Sequence, residues 1–485
     1  MLSEEILYLP IRELGARLRK RAISPVELTE SYLDRSRKLG PKFNAYVTLT
    51  EERALSQARA AEKDIVAGHY RGPLHGIPYA AKDLVAVKGY PTTWGAPPYA
   101  EQRFDYDATV IERLDRAGAV LLGKAAMIEL AGGLGYSNGQ ASLTGPARNP
   151  WNTDCWTCGS SSGSGAIVAA GLAPWAIGSD TRGSIICPTT WCGVSGMRPS
   201  FGRVSRHGVM TIAWSMDKIG PMARTADCCG LALSVMAGHD ARDHDSLPPN
   251  LADFSWPPAG AERPLRIGRL TNAWTRLDGG LQSAVDDGLK ALEKAGAKVA
   301  DVQLPDGPFE DAAELTILIE AASAFQGLVH SGGCAKLVDP LGQVNGYPSE
   351  QITASDYLQV QRVRAILQQR IDKLFDQYDV IATAGSNSVA QRLTPLPRGA
   401  NPPAQKRTPD AAARPLDNSQ RAPDGISSLC GLPALSVPCG FSSGNLPYGL
   451  QFIARAANDA AVVTAARKYQ SLTDWHKKHP GPWTE

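Results

Sequence analysis

Apolar residues along this chain recur with two alternating periods. From Thr109 to Ala117 they follow helical spacing, Gly118 stops the run, and the compact stretch AVLLG at 119–123 reads as a buried strand. The same grammar returns where Leu281, Val285, Leu289 and Leu292 mark one stripe, Gly296 ends it, and Val299, Val302 and Leu304 suggest the next strand. Near the N-terminus, Ser24-Pro25-Val26-Glu27 combines a serine cap, a proline at the first helical position and a glutamate placed to complete a capping box, so a helix is expected to about Lys38. Helix-to-strand units repeated in this way favour an α/β sheet.

Two stretches break the rhythm. Residues 240–264 are rich in Pro, Asp and Gly and read as a surface connection. Residues 391–423 hold seven prolines and six basic residues, the composition of a functional or mobile loop. No short-period repeat or heptad array is present.

Composition narrows the function classes. With 43% hydrophobic and 20% charged residues in 485, the chain can bury a large core. Its formal charge of +2 provides no global field for nucleic acid or an anionic membrane. The N-terminus MLSEEILYLPIRELG carries two glutamates where a secretory signal would be basic, which points to the cytoplasm. The apolar run around Gly165–Ile177 is broken by Gly171 and Pro174, well short of the roughly 20 residues a membrane span needs. Nine cysteines, an odd number scattered through a long chain, read as reduced thiols.

The segment Cys158–Gly165, CGSSSGSG, is the densest local signal. A phosphate-cradling loop would require a lysine after its glycines, and none follows. A flexible linker would not lead directly into AIVAAGLA, a run of small residues suited to a closely packed helix. Upstream, GPLHGIPYAAKDL sets Lys82 beside Asp83 in a mostly uncharged neighbourhood; downstream, GSDTRGSIICP places Ser184 after a glycine.

Together these segments resemble the amidase signature family of serine hydrolases. The similarity continues through DATVIERLDRAGAVLLGKAAMIELAGG, DKIGPMARTADC and LCGLPALSVPCGFSSGNLPYGLQFIA, and so covers most of the chain. The resemblance implies an α/β fold with one large twisted mixed β-sheet covered by helices on both faces. It also implies an N-terminal helical region over 1–70 packed on an amidase signature domain over 71–485, with peripheral insertions at about 240–264 and 391–423.

The resemblance further implies a catalytic triad of Lys82, Ser160 (preceded by a cis peptide bond) and the nucleophile Ser184. An isolated serine hydroxyl is a weak nucleophile and needs a positioned base. Lysine serves as one only when desolvation lowers its pKa from about 10.4. A serine between them can donate to the lysine while accepting from the nucleophile. By the same resemblance the backbone of Thr181, Arg182, Gly183 and Ser184 forms the oxyanion hole, and Ala131, Gly132 and Gly133 are candidates for contact with substrate.

Arg182 departs from the glycine common in the family, and its guanidinium is expected either to order the loop or to contact substrate. Cys158 and Ser162 likewise stand where glycines are common.

The expected function is hydrolysis of carbon–nitrogen bonds in aryl or hydrophobic amides, with carbamates (urethanes) chemically adjacent. No metal or organic cofactor is expected. The expected partner is a small-molecule amide or carbamate, without nucleic acid or membrane, and a homodimer is left open. Three alternatives stand beside this reading: the amidase subunit of a tRNA-dependent amidotransferase, an inactive scaffold on the same fold, and a Ser-His-Asp triad drawing on Asp180 and His207. A four-thiolate zinc site can also be drawn from Cys155, Cys158, Cys187 and Cys192, although the second spacing is unusual.

Overall fold

A computed structural model describes residues 1–258, 263–274, 277–395, 423–481 and 483. Among these residues thirteen strands form in chain order: β1 Tyr46–Leu49, β2 Pro78–Lys82, β3 Val120–Ala125, β4 Arg148–Asn149, β5 Asn152–Trp156, β6 Trp175–Asp180, β7 Ser195–Arg198, β8 Lys218–Ala223, β9 Arg266–Leu270, β10 Lys298–Val302, β11 Val380–Ala384, β12 Ala434–Phe441 and β13 Pro447–Ile453. Eleven of them make one mixed sheet in the order β1-β3-β2-β6-β8-β7-β12-β13-β11-β9-β10, while β4 and β5 pair separately. The expected large mixed sheet is therefore present.

Where the local signals are strong, the elements fall where they are expected. The first long helix runs Pro25–Phe43, and Ser24 Oγ accepts from the Glu27 amide at 3.0 Å. The helix Thr109–Arg116 ends at Gly118 with φ +75° before β3, and the helix Gly279–Lys294 ends at Gly296 with φ +96° before β10. The chain after Asp240 is mostly exposed and is tied down at a few points: Asp240 accepts from Ser205 Oγ at 2.7 Å, and Trp256 is buried.

Of the proline-rich stretch, Gln391 and Leu393 bond to the backbone of β5, while residues 396–422 lie outside those described. Among the described residues, no helix is long and apolar enough to cross a membrane.

The last four residues of CGSSSGSG and the start of the small-residue run after it form the wholly buried helix Ser162–Ala169. A β-carbon on Gly163 would come within 2.4 Å of the Ala45 carbonyl oxygen and 2.5 Å of the Ala126 amide, so only glycine lets this helix approach the β1–β3 backbone so closely. Burying this small-residue helix against β6, with Ser164 Oγ donating to the Ile177 carbonyl at 2.9 Å, sets the loop before it at the C-terminal ends of the parallel strands β2 and β6.

Candidate active site

Lys82 is the last residue of β2, and its side chain is fully buried. Its Nζ lies 2.7 Å from Ser160 Oγ, 2.8 Å from Ser179 Oγ and 3.1 Å from Ser161 Oγ. Among the described residues no carboxylate pairs with it. Burial pushes the Lys82 ammonium down to about 7, against smaller opposing pulls from Asp180 and Asp217. Ser161 Oγ donates to the Ser179 carbonyl at 3.1 Å, which leaves it an acceptor toward Lys82.

The peptide bond Gly159–Ser160 is cis. The Ser160 carbonyl accepts from the Ile128 amide at 3.2 Å, and the Ser161 amide donates to the Ser184 carbonyl at 3.2 Å. Lys82, Ser160 and the Ser184 turn thus converge. Ser184 is half-buried, and among the described residues its hydroxyl makes no hydrogen bond. Sequence pattern does not single out Ser179, because only the pairing of β2 with β6 brings it beside Lys82.

The turn that carries Ser184 hangs on Asp180. That carboxylate accepts from the Gly183 amide at 2.8 Å and the Ile185 amide at 2.7 Å, and Arg198 lies 3.3 Å away. Burial alone would raise the Asp180 carboxyl, but Arg198 and these amides hold it below its ordinary value. Of the four amides expected in an oxyanion hole, Gly183 is therefore spent inside the turn; those of Thr181, Arg182 and Ser184 bond to nothing else among the described residues. Thr181 is fixed separately, with its hydroxyl donating to Asp217 at 2.5 Å and its carbonyl accepting from Ser428 Oγ.

Residues 128–133 lie against the Ser160 peptide through Ile128. The Ala131 amide donates to the Ile128 carbonyl and the Gly133 amide to the Leu130 carbonyl, and Gly132 closes the 3-10 turn Glu129–Gly132, so the candidate substrate contacts use their amides within their own loop.

Arg182 pairs with Glu310 at 3.1 Å and reaches Glu314 at 3.8 Å, both on the helix Phe309–Ala324. Burial raises the Glu310 carboxyl to about 7 and the buried Asp424 carboxyl to about 6, opposed by Arg182 and Arg198 respectively. Gly425 makes room for this wall, since a β-carbon there would lie 2.2 Å from Glu310 Oε1. Nothing in the local sequence pattern points to Glu310 or Asp424.

Two alternatives lose their geometry. His207 packs its ring near Tyr106, while both Asp180 oxygens are engaged elsewhere, so a Ser-His-Asp arrangement is not assembled. Contrary to the reading of all nine cysteines as reduced thiols, Cys158 and Cys187 form a disulfide, which removes one sulfur from each half of the drawn zinc pattern. Scattered spacing alone does not reveal that the fold sets this pair side by side.

Comparisons with known proteins give the same family as the sequence motifs. The family model Amidase matches residues 27–463. The chain is 34% identical to a glutamyl-tRNA(Gln) amidotransferase subunit of Coxiella burnetii (strain Dugway 5J108-111), over 97% of this chain and 98% of the relative. It is 36% identical to the corresponding subunit from Thioalkalivibrio sulfidiphilus (strain HL-EbGR7), over 97% and 98%. Among solved structures, the native peptide amidase from Stenotrophomonas maltophilia superposes with a TM-score of 0.78 at 27% identity, over 95% of this chain and 96% of that one.

These relatives overturn the expectation that nucleic acid is absent from the partners, since they are named as subunits of a glutamyl-tRNA(Gln) amidotransferase. The expectation rested on a near-zero net charge, which averages one chain's surface and is blind to what a partner subunit holds.

Proposed function

The chain belongs to the amidase family and is an amidohydrolase acting on carbon–nitrogen bonds, and on that premise we propose that Ser184 is its nucleophile, with Ser160 as relay and neutral Lys82 as base. The observation that carries this is the set of three hydroxyls around a buried lysine. A neutral amine has two N–H donors and one lone pair. Ser161, whose own hydrogen is committed to a carbonyl, and Ser179 take the two donors, so the lone pair faces the Ser160 hydroxyl. Ser160 Oγ is then free to accept from Ser184 once that hydroxyl turns toward it.

In this mechanism Ser184 attacks the amide carbonyl as its proton passes through Ser160 to Lys82. The oxyanion is met by the amides left free in the turn, each such donor being worth about 2.7–4 kcal/mol. The amine leaves with the proton returned along the same relay, and water then resolves the acyl-enzyme.

Its near-full-length likeness to the two amidotransferase subunits favours a role as the amidase component of a tRNA-dependent amidotransferase, working in the cytoplasm with partner subunits and charged tRNA. A second reading, stand-alone hydrolysis of aryl or hydrophobic amides and carbamates, is favoured by the likeness to the peptide amidase.

The purified chain assayed on aryl amides, aliphatic amides, carbamates and glutamine, with and without partner subunits, separates the two. Glutaminase activity that appears only with partners supports the assembly; turnover of aryl amides by the chain alone supports the hydrolase. Full activity in Ser184→Ala would reject the mechanism in either case.

A further inference from the structure

Cys158 immediately precedes the Gly159–Ser160 peptide, and Cys187 lies three residues after Ser184, in the first turn of the helix Ile186–Cys192. Their disulfide, with α-carbons 5.9 Å apart, joins the segment carrying one site serine to the segment carrying the other. The Cys187 amide also donates to the Gly183 carbonyl at 2.8 Å, so its backbone is built into the nucleophile turn itself.

Apart from this bond, the direct backbone link between the two serine segments among the described residues is the contact of the Ser161 amide with the Ser184 carbonyl. Ser160 is held from its other side by Lys82 and Ile128, and Ser184 by Asp180 through its neighbours. Each serine is thus anchored to its own element, and hydrogen bonds of Ser161 Oγ with the Ser179 backbone join the two, so the disulfide is the covalent tie added to a small set of hydrogen bonds.

We infer that Cys158–Cys187 is a positioning pair that fixes Ser160 relative to Ser184, so that its reduction lowers turnover and does more than lower stability. The inference rests on the proposed triad. A proton relay tolerates little displacement, since a misplacement of about 1 Å at a reacting group can cost about 100-fold in rate.

The bond is surrounded by Trp191, Leu446 and Ala390, with Cys158 buried and Cys187 half-buried. A reductant therefore approaches from the Cys187 side. A dithiol reductant breaks the bond in two steps: its thiolate attacks one sulfur and releases the other as a thiolate, then its second thiol displaces the mixed disulfide. The products are two protein thiols and the oxidised, cyclised reductant.

The test uses the full chain purified without reductant. Thiols counted in denaturant should number seven, rising to nine after dithiothreitol. The rate at which a fluorophosphonate labels Ser184 reports the site without a known substrate; kcat and KM are measured on any amide the chain turns over.

Reduction is expected to slow both labelling and kcat by about tenfold or more, with KM within about twofold, circular dichroism unchanged at the assay temperature, and recovery on reoxidation. Cys158→Ser and Cys187→Ser should show the same loss and no longer respond to dithiothreitol, while Cys155→Ser should respond like the parent. Nine thiols before reduction, or an unchanged labelling rate with only a lower Tm, would overturn the inference. Ser184→Ala is run in parallel: if it is inactive while reduction has no effect, the tie alone fails, whereas activity retained in Ser184→Ala rejects the triad itself.

Discussion

Lys82 and Lys124 are both fully buried on neighbouring strands of one sheet, yet they sit in opposite chemical surroundings. In the parallel register of β2 and β3, Lys82 pairs with Ala125 and Lys124 with Ala81, so the two side chains leave opposite faces of the sheet. Lys124 meets Asp83 at 2.8 Å and Thr92 Oγ1 at 2.8 Å. Lys82 meets three hydroxyls and, among the described residues, no carboxylate. Burial lowers both ammonium groups, but only Lys124 has a direct carboxylate partner to oppose it. Depth makes a lysine ready to lose its proton, and the absence of an adjacent anion lets it act as a base.

The largest break in this comparison is Lys82→Ala. With the proposed base gone, kcat/KM should fall by about 10²–10⁴-fold while the protein stays folded, measured by steady-state kinetics beside thermal melting. Activity surviving in that variant at neutral pH would remove Lys82 from the mechanism.

The converse substitution, Lys124→Met, should act on stability. It leaves the Asp83 carboxylate buried without its cation and is expected to cost about 3–5 kcal/mol in denaturant unfolding, with activity per folded molecule largely kept. Pairing it with Asp83→Asn should recover much of that loss. A similar activity loss from Lys124→Met and Lys82→Ala, at equal folded fraction, would erase the distinction between the two sites.

A pH series sharpens the contrast without mutation. Neutral Lys82 is depleted below about 7, so kcat/KM should fall about tenfold per pH unit below that point. The sign for stability follows from the lowered pKa. Between about 7 and the ordinary 10.5 the unfolded chain binds a proton that the folded chain does not, so Lys82 makes stability rise with pH across that window. Lys82→Met should flatten this rise.

How much of this is legible in the chain depends on whether the signal is local. Ser24-Pro25, Gly118 before β3 and the small residues after Gly165 announce their elements through caps, stops and close packing, each set by residues a few positions apart. Lys82, Ser160 and Ser184 emerge through a resemblance spanning most of the chain. Ser179 does not, because its role depends on β6 lying beside β2, a contact across 97 positions. The insertion of β12 and β13 between β7 and β11 is equally invisible, as periodicity carries no information about which strands pair. The same limit hides the Cys158–Cys187 bond, and without the resemblance it would leave Lys82 and Lys124 looking alike.

The smallest expected effect tests whether Lys82 alone sets the acid limb, because a second group, paired with Arg182 of the Ser184 turn, is raised into the same range. Glu310, on the far side of the Ser184 turn, is raised to about 7 by burial, against the pull of Arg182. Its linkage has the opposite sign: between the ordinary 4.5 and about 7 the folded chain holds the extra proton, so this group makes stability fall as pH rises. Glu310→Gln should abolish that fall and, because Arg182 is partly exposed, change kcat/KM at pH 8 by no more than about fivefold. The limb in kcat/KM near pH 7 should remain in Glu310→Gln. If the limb disappears with Glu310, the acid wall and not the lysine governs the rate, and the hydroxyl-ringed Lys82 becomes as structural as Lys124.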